Sequence, residues 1–143
     1  MVEVPGVPAA ALACALLGAA AAHAQAPADI ANAYEAAARQ ASPQFAGFSA
    51  ERGKAFFRAT HGGEWSCASC HTEDPAGPGR HARTGKAITA LAPAANPERF
   101  TSLEQAEKWF RRNCNDVLSR TCTAQEKGDV LAYLMQLDRR EQR

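Results

Sequence analysis

Three things are scarce in this chain. Aromatic residues make up only 7% of its 143 residues, little for a protein built on sheets. Net charge is almost absent, since 16 Lys and Arg stand against 15 Asp and Glu to leave +1. That removes the basic footprint of a nucleic-acid binder, so no nucleic-acid partner is expected. Long apolar runs are missing too: the longest, residues 7–22, is about 16 residues, short of the roughly 20 that a membrane-crossing helix needs. What remains, 46% hydrophobic and 22% charged, fits one globular domain with a modest core.

The short apolar run has a different meaning. It ends in Ala22-His23-Ala24, a small-x-small site of the kind a signal peptidase reads. Residues 1–24 are therefore expected to be a cleaved signal peptide and residues 25–143 the working domain. The leading segment is atypical in carrying Glu3 and no Lys or Arg. Cleavage would leave four cysteines, Cys67, Cys70, Cys114 and Cys122, with Met135 as the remaining methionine. In an oxidising compartment free thiols rarely persist unused, so all four need a role.

Cys67-Ala68-Ser69-Cys70-His71 is a Cys-x-x-Cys-His run. Cys-x-x-Cys alone is compatible with a zinc half-site, a thioredoxin-like pair, a simple disulfide or a haem attachment. Zinc would want two further ligands at compatible spacing, and a thioredoxin-like pair should follow a strand, of which Gly62-Gly63-Glu64-Trp65-Ser66 shows no pattern. Covalent haem c accounts for the adjacent histidine and for export together. Both thiols add to the haem vinyl groups as thioethers, and His71 offers its imidazole to the iron. The spacing is tight because all three must come from about one turn of chain beneath the ring. Cys114 and Cys122 are then left as a second pair. A bridge between them would close a loop of about nine residues, worth roughly 2 to 3 kcal/mol in chain entropy.

Helical patterns surround the motif. Asp29 is a candidate cap for a helix over residues 29–40, with Ile30, Ala33, Tyr34, Ala37 and Ala41 on its apolar side. Ser49 caps a second, over residues 50–59, from which Phe56 or Phe57 can meet the haem edge. Residues 72–100 are broken by Pro and Gly and read as a covering loop without elements. Within it, Arg80, His81, Arg83 and Lys86 form a basic cluster, with Arg83 and Lys86 as candidates for the anionic haem propionates. Ser102 with Gln105 opens a helix running to about Arg112, and Thr123 with Glu126 opens a last one carrying Val130, Leu131, Leu134 and Leu137 on one face. No half-buried strand pattern occurs, so the fold reads as all-α, the last helix packing across the first.

The sixth iron ligand stays open on residue chemistry alone. Met135 sits within a helical apolar pattern, where methionine is more often core filler. His61 and His81 lie ten residues on either side of His71. A weak or missing sixth ligand would leave high-spin iron able to take a small molecule.

Further runs resemble one family. Arg83-Thr84-Gly85-Lys86, Leu91-Ala92-Pro93, Pro97 with Arg99-Phe100, Glu107-Lys108-Trp109, and Arg112-Asn113-Cys114-Asn115 with Cys122 resemble the sphaeroides haem protein family, small high-spin oxygen-binding cytochromes c of bacterial periplasms. The resemblance runs from about Tyr34 to Leu137. It implies a small monohaem class I cytochrome c fold, His71 as proximal ligand, Asn113 as a distal ligand that leaves on reduction, and a Cys114–Cys122 disulfide beside it. It also implies small diatomic ligands such as oxygen or nitric oxide, with a dihaem cytochrome c and in some systems a membrane cytochrome b as electron donors. Three roles remain open: a ligand-binding haem protein that could convert oxygen or nitric oxide, a plain single-haem electron carrier, and a scaffold whose Cys-x-x-Cys is a disulfide.

Overall fold

The structure, a computed structural model, describes residues 1–2 and 24–137. Most of the expected signal peptide lies outside the described residues. Seven elements follow in order: α1 (Pro27–Ala41), α2 (Ala50–Arg58), α3 (Cys67–His71), β1 (Gly79–Arg80), β2 (Ala87–Ile88), α4 (Leu103–Leu118) and α5 (Ala124–Leu137). No helix among the described residues is long and apolar enough to cross a membrane.

The helix starts follow local chemistry. The Ser49 hydroxyl accepts from Arg52 N–H at 3.2 Å and opens α2. Thr123 and Glu126 form the reciprocal box that opens α5, at 3.1 and 2.8 Å. At α1 the expectation needs correcting: Pro27 starts the helix, and Asp29 acts from inside the first turn, its carboxylate accepting from Ala26 N–H at 2.8 Å. At α4 the box is half made. Ser102 accepts from Gln105 N–H at 3.3 Å, while Gln25 accepts from Leu103 N–H at 2.7 Å.

Two further expectations change. The loop of residues 72–100 holds a short antiparallel ladder, Gly79 opposite Ile88 and Arg80 opposite Ala87. The helix expected to stop near Arg112 runs on to Leu118, where Ser119 closes it in a left-handed conformation at φ 56°. The fold is helical as expected, with this ladder its one sheet among the described residues.

α5 is the centre of the molecule. Val130, Leu131, Tyr133 and Leu134 are buried on it, and both α1 and α2 run close along its backbone. One cluster joins Ile30, Tyr34, Ala106 and Leu131, the other Phe57, Val130, Tyr133 and Leu134. Met135 packs into the first of these. The α2–α5 crossing is fixed by polar contacts as well: buried Asp129 accepts from Ser49 N–H at 2.7 Å and from Arg52 at 2.9 Å through both Nε and Nη2.

The close approach of α2 to α5 depends on Gly53, where a Cβ would run into the Asp129 carbonyl. Because that obstacle is backbone, the helices must separate to admit a side chain. Gly53→Ala is expected to destabilise by about 3 kcal/mol, the upper end for overpacking, read as a lowered midpoint in denaturant unfolding. A midpoint within error of the parent would show that the crossing is not tight.

Candidate haem site

The Cys-x-x-Cys-His run folds as α3 because its own serines cap it. Ser66 Oγ accepts from Ser69 N–H at 3.1 Å, and Ser69 Oγ accepts from Ser66 N–H at 2.9 Å. The helix is therefore set up before any cofactor is attached, with Cys67 and Cys70 as free thiols on successive turns. Cys67 and Ala68 pack against the cluster of Phe57, Val130, Tyr133 and Leu134, and the His71 ring lies 6.2 Å from that of Phe57. Cys70 Sγ accepts from Ala82 N–H at 3.3 Å, and β1 lies so close behind that a Cβ on Gly79 would strike the Cys70 carbonyl.

The electrostatics of these groups narrow the chemistry. Burial, with a smaller contribution from Cys70, pushes the Cys67 thiol up to about 11, so it stays protonated at neutral pH. Burial first, and then the Arg99 guanidinium, hold His71 down at about 4, so its imidazole is neutral and able to bind a metal. Among the described residues no group of three or more His, Cys, Asp or Glu side chains gathers as a metal cluster. Two free thiols one turn apart, beside a neutral imidazole, suit thioether formation with a vinyl-bearing ring and axial ligation by His71.

α4 supplies a second wall. Its backbone approaches no other element as closely as α2 and α1 approach α5. Side chains hold it instead. Ala106 and Phe110 enter the core, Lys127 pairs with Glu107 at 2.8 Å, and Cys114 is disulfide-bonded to Cys122. The turn before α3 reaches this helix, since a Cβ on Gly63 would lie 3.3 Å from the Val117 carbonyl.

The outer stripe of α4 carries Trp109 and Asn113, one turn apart on the same face. Trp109 is 46% exposed, the one large apolar side chain so open within residues 24–137. Asn113 is also exposed, and no hydrogen bond among the described residues engages its side chain. Its neighbour Asn115 points about 200° away around the helix.

The disulfide sits one residue beyond Asn113 and ties the last turn of α4 to the start of α5. Cys122→Ser is expected to cost about 2 to 3 kcal/mol in unfolding free energy. Non-reducing peptide mapping of the parent should return one linked peptide containing Cys114 and Cys122, and free thiols at both positions would contradict the bridge.

The other sequence candidates are spread out. Arg83 and Lys86 are exposed in the turn between β1 and β2, with no partner for either side chain among the described residues. His81 Nδ1 accepts from Arg83 N–H and Thr84 N–H, both at 3.3 Å. The His61 ring lies 4.4 Å from that of Phe56, tilted by 50°, and bonds the Phe56 carbonyl at 2.9 Å. Arg99, half-buried and acting on His71, was not singled out for the site by the sequence reading, although it lies within the Arg99-Phe100 run.

A helical domain whose capped Cys-x-x-Cys-His helix sits on a helix-pair core is a small c-type cytochrome of class I type, and haem c, with its iron, is its one covalently bound cofactor. The chain is 45% identical over 127 residues to cytochrome c-type protein SHP of Cereibacter sphaeroides, covering 86% of this chain and 93% of that protein. The structure of oxidised SHP, an oxygen-binding cytochrome c, superposes with a TM-score of 0.69 over 78% of this chain and 96% of that one. The solution structure of cytochrome c'' from Methylophilus methylotrophus, described through haem-ligand detachment, gives 37% identity and a TM-score of 0.69 over 78% and 94%. Residues 43–134 match the family described as a domain of unknown function, DUF1924. The chain belongs to the sphaeroides haem protein family.

Proposed function

We propose that this protein is a periplasmic haem protein that binds oxygen, nitric oxide or a similar diatomic molecule when reduced, with Asn113 as a distal ligand present in the ferric state and released in the ferrous state. Haem c supplies the redox change and the metal at which such molecules bind. His71 would hold the iron from the α3 side with a neutral imidazole. The Asn113 amide oxygen is a hard, neutral, weak donor, tolerable to ferric iron and poorly matched to ferrous iron. Its release needs no proton and leaves an amide that water can satisfy.

One observation carries this reading: Asn113 lies inside α4, five residues before its end, exposed and unbonded. The ordinary reason for an asparagine there would be to cap a helix ending near Arg112, but the cap is Ser119. Asparagine is a poor helix former, so neither Asn113 nor Asn115 serves the stability of α4, and the family resemblance selects Asn113 between them. The competitors are engaged elsewhere: Met135 in the core, His61 on the Phe56 carbonyl, His81 on its own turn. The family resemblance and the described relatives, one oxygen-binding and one named for ligand detachment, support the same choice.

The disulfide and the apolar leader with its small-x-small site support the periplasm as location. A dihaem cytochrome c, and in some systems a membrane cytochrome b, are proposed as electron donors on the family resemblance. The test is oxygenation of the reduced protein. An oxygenated spectrum that reverts on degassing supports the proposal. Oxidation with no oxygenated form at any temperature favours a plain electron carrier.

A further inference from the structure

We propose that Arg99 binds a haem propionate and through it raises the reduction potential of the iron, a role that sequence clustering assigned to Arg83 and Lys86. The inference rests on the covalent haem reading and adds to it a residue that holds and tunes the group.

The guanidinium is fixed before any ligand arrives. Nε donates to the Ala90 carbonyl at 3.1 Å, and Nη2 donates to the Thr89 carbonyl at 3.2 Å and to Thr89 Oγ1 at 2.9 Å. Asn96 bonds the same two residues at 3.3 and 3.2 Å, so the frame is doubly tied. That frame docks beside the attachment helix. Leu91 N–H and Ala92 N–H donate to the Pro75 carbonyl at 2.9 and 3.1 Å, and Leu91 and Phe100 pack against the cluster of Phe57, Val130, Tyr133 and Leu134, the same cluster that Cys67 and Ala68 of α3 pack against.

What the cation lacks is an anion. The ion pairs among the described residues use Arg39, Arg52, Arg58, Arg120 and Lys127, and none involves Arg99. Its bonds go to neutral oxygens, and Nη1 makes none. A half-buried charge held on neutral oxygens is unfavourable until an opposite charge meets it. A haem carries two carboxylates on flexible arms, and a planar guanidinium is the donor best matched to a carboxylate. Arg83 and Lys86 are out in water, where a pair with a carboxylate is worth little and is screened by salt.

The test uses the full exported chain matured with haem, as parent, Arg99→Gln, Arg99→Lys and the double variant Arg83→Gln/Lys86→Gln. Acid–acetone extraction reads the covalent haem, and spectroelectrochemical titration reads the potential. Removing a cation near the iron disfavours the ferrous state, so Arg99→Gln should lower the potential with haem fully retained. Arg99→Lys should stay nearer the parent, because it keeps the charge. The double variant should shift the potential less than Arg99→Gln, and less still at high salt. A role limited to bracing the Thr89–Ala90 frame predicts the opposite pattern: both Arg99 variants lose thermal stability alike and neither moves the potential. That result, or a larger shift in the double variant, overturns the proposal. Should Arg99→Gln not accumulate, Arg99→Lys carries the test: a potential displaced further from the parent than that of the double variant supports the proposal, and one displaced no further than that of the double variant overturns it. Haem extractable from the parent itself would instead overturn the covalent reading, and this inference with it.

Discussion

Replacing Asn113 with alanine is expected to leave haem attachment intact, to convert the ferric spectrum to a water-ligated or five-coordinate form, and to leave the ferrous spectrum almost unchanged. The asymmetry follows from a ligand bound in one oxidation state only. α4 should tolerate the change, since the side chain is exposed, makes no hydrogen bond, and alanine is the better helix former. Asn115→Ala is the control. It lies on the same helix but about 200° around its axis, so its ferric spectrum should match the parent. If Asn113→Ala leaves the ferric spectrum unchanged while Met135→Ala or His81→Ala shifts it, the distal assignment is wrong.

The second large effect concerns attachment. The parent, exported in a host with a cytochrome c maturation system, should gain the mass of one haem and keep its colour through acid–acetone extraction. Cys67→Ser/Cys70→Ser should lose all covalent haem, because no other unpaired thiol lies among the described residues. Cys114→Ser/Cys122→Ser should keep it, at a cost in stability. Extractable haem in the parent would reject thioether bonding, and haem retained by Cys67→Ser/Cys70→Ser would reject the assignment of those thiols.

The attachment motif was legible in the sequence because it is local: five consecutive residues carry the thiols and the imidazole, and the flanking Ser66 caps them. The starts of α2 and α5 were legible for the same reason, as Ser49 and Thr123 act within their own first turns. The last third of α4 was not. Asn113, Asn115 and Asp116 are weak helix formers, and the turn they occupy is held by contacts that local pattern does not display: the bridge to Cys122, and Phe110 packed between two clusters. Propensity lost to tertiary anchoring. That loss mattered, because it placed Asn113 inside α4 rather than beyond its end.

The short ladder between β1 and β2 escaped notice because two residues per strand carry no readable alternation. Arg99 escaped for a related reason. The eye goes to four basic or titratable groups within residues 80–86, whereas the cation that acts on His71 comes from a separate turn and is set by Thr89 and Ala90.

The central claim is that reduction frees the distal side of the iron. Resonance Raman and optical spectra of the ferric and ferrous protein, with and without carbon monoxide, test it most directly. The expected result is a ferrous form that is five-coordinate and high-spin without carbon monoxide and becomes six-coordinate and low-spin at once when the gas is added. A ferrous form that is already six-coordinate and low-spin, and that does not change under carbon monoxide, would contradict it.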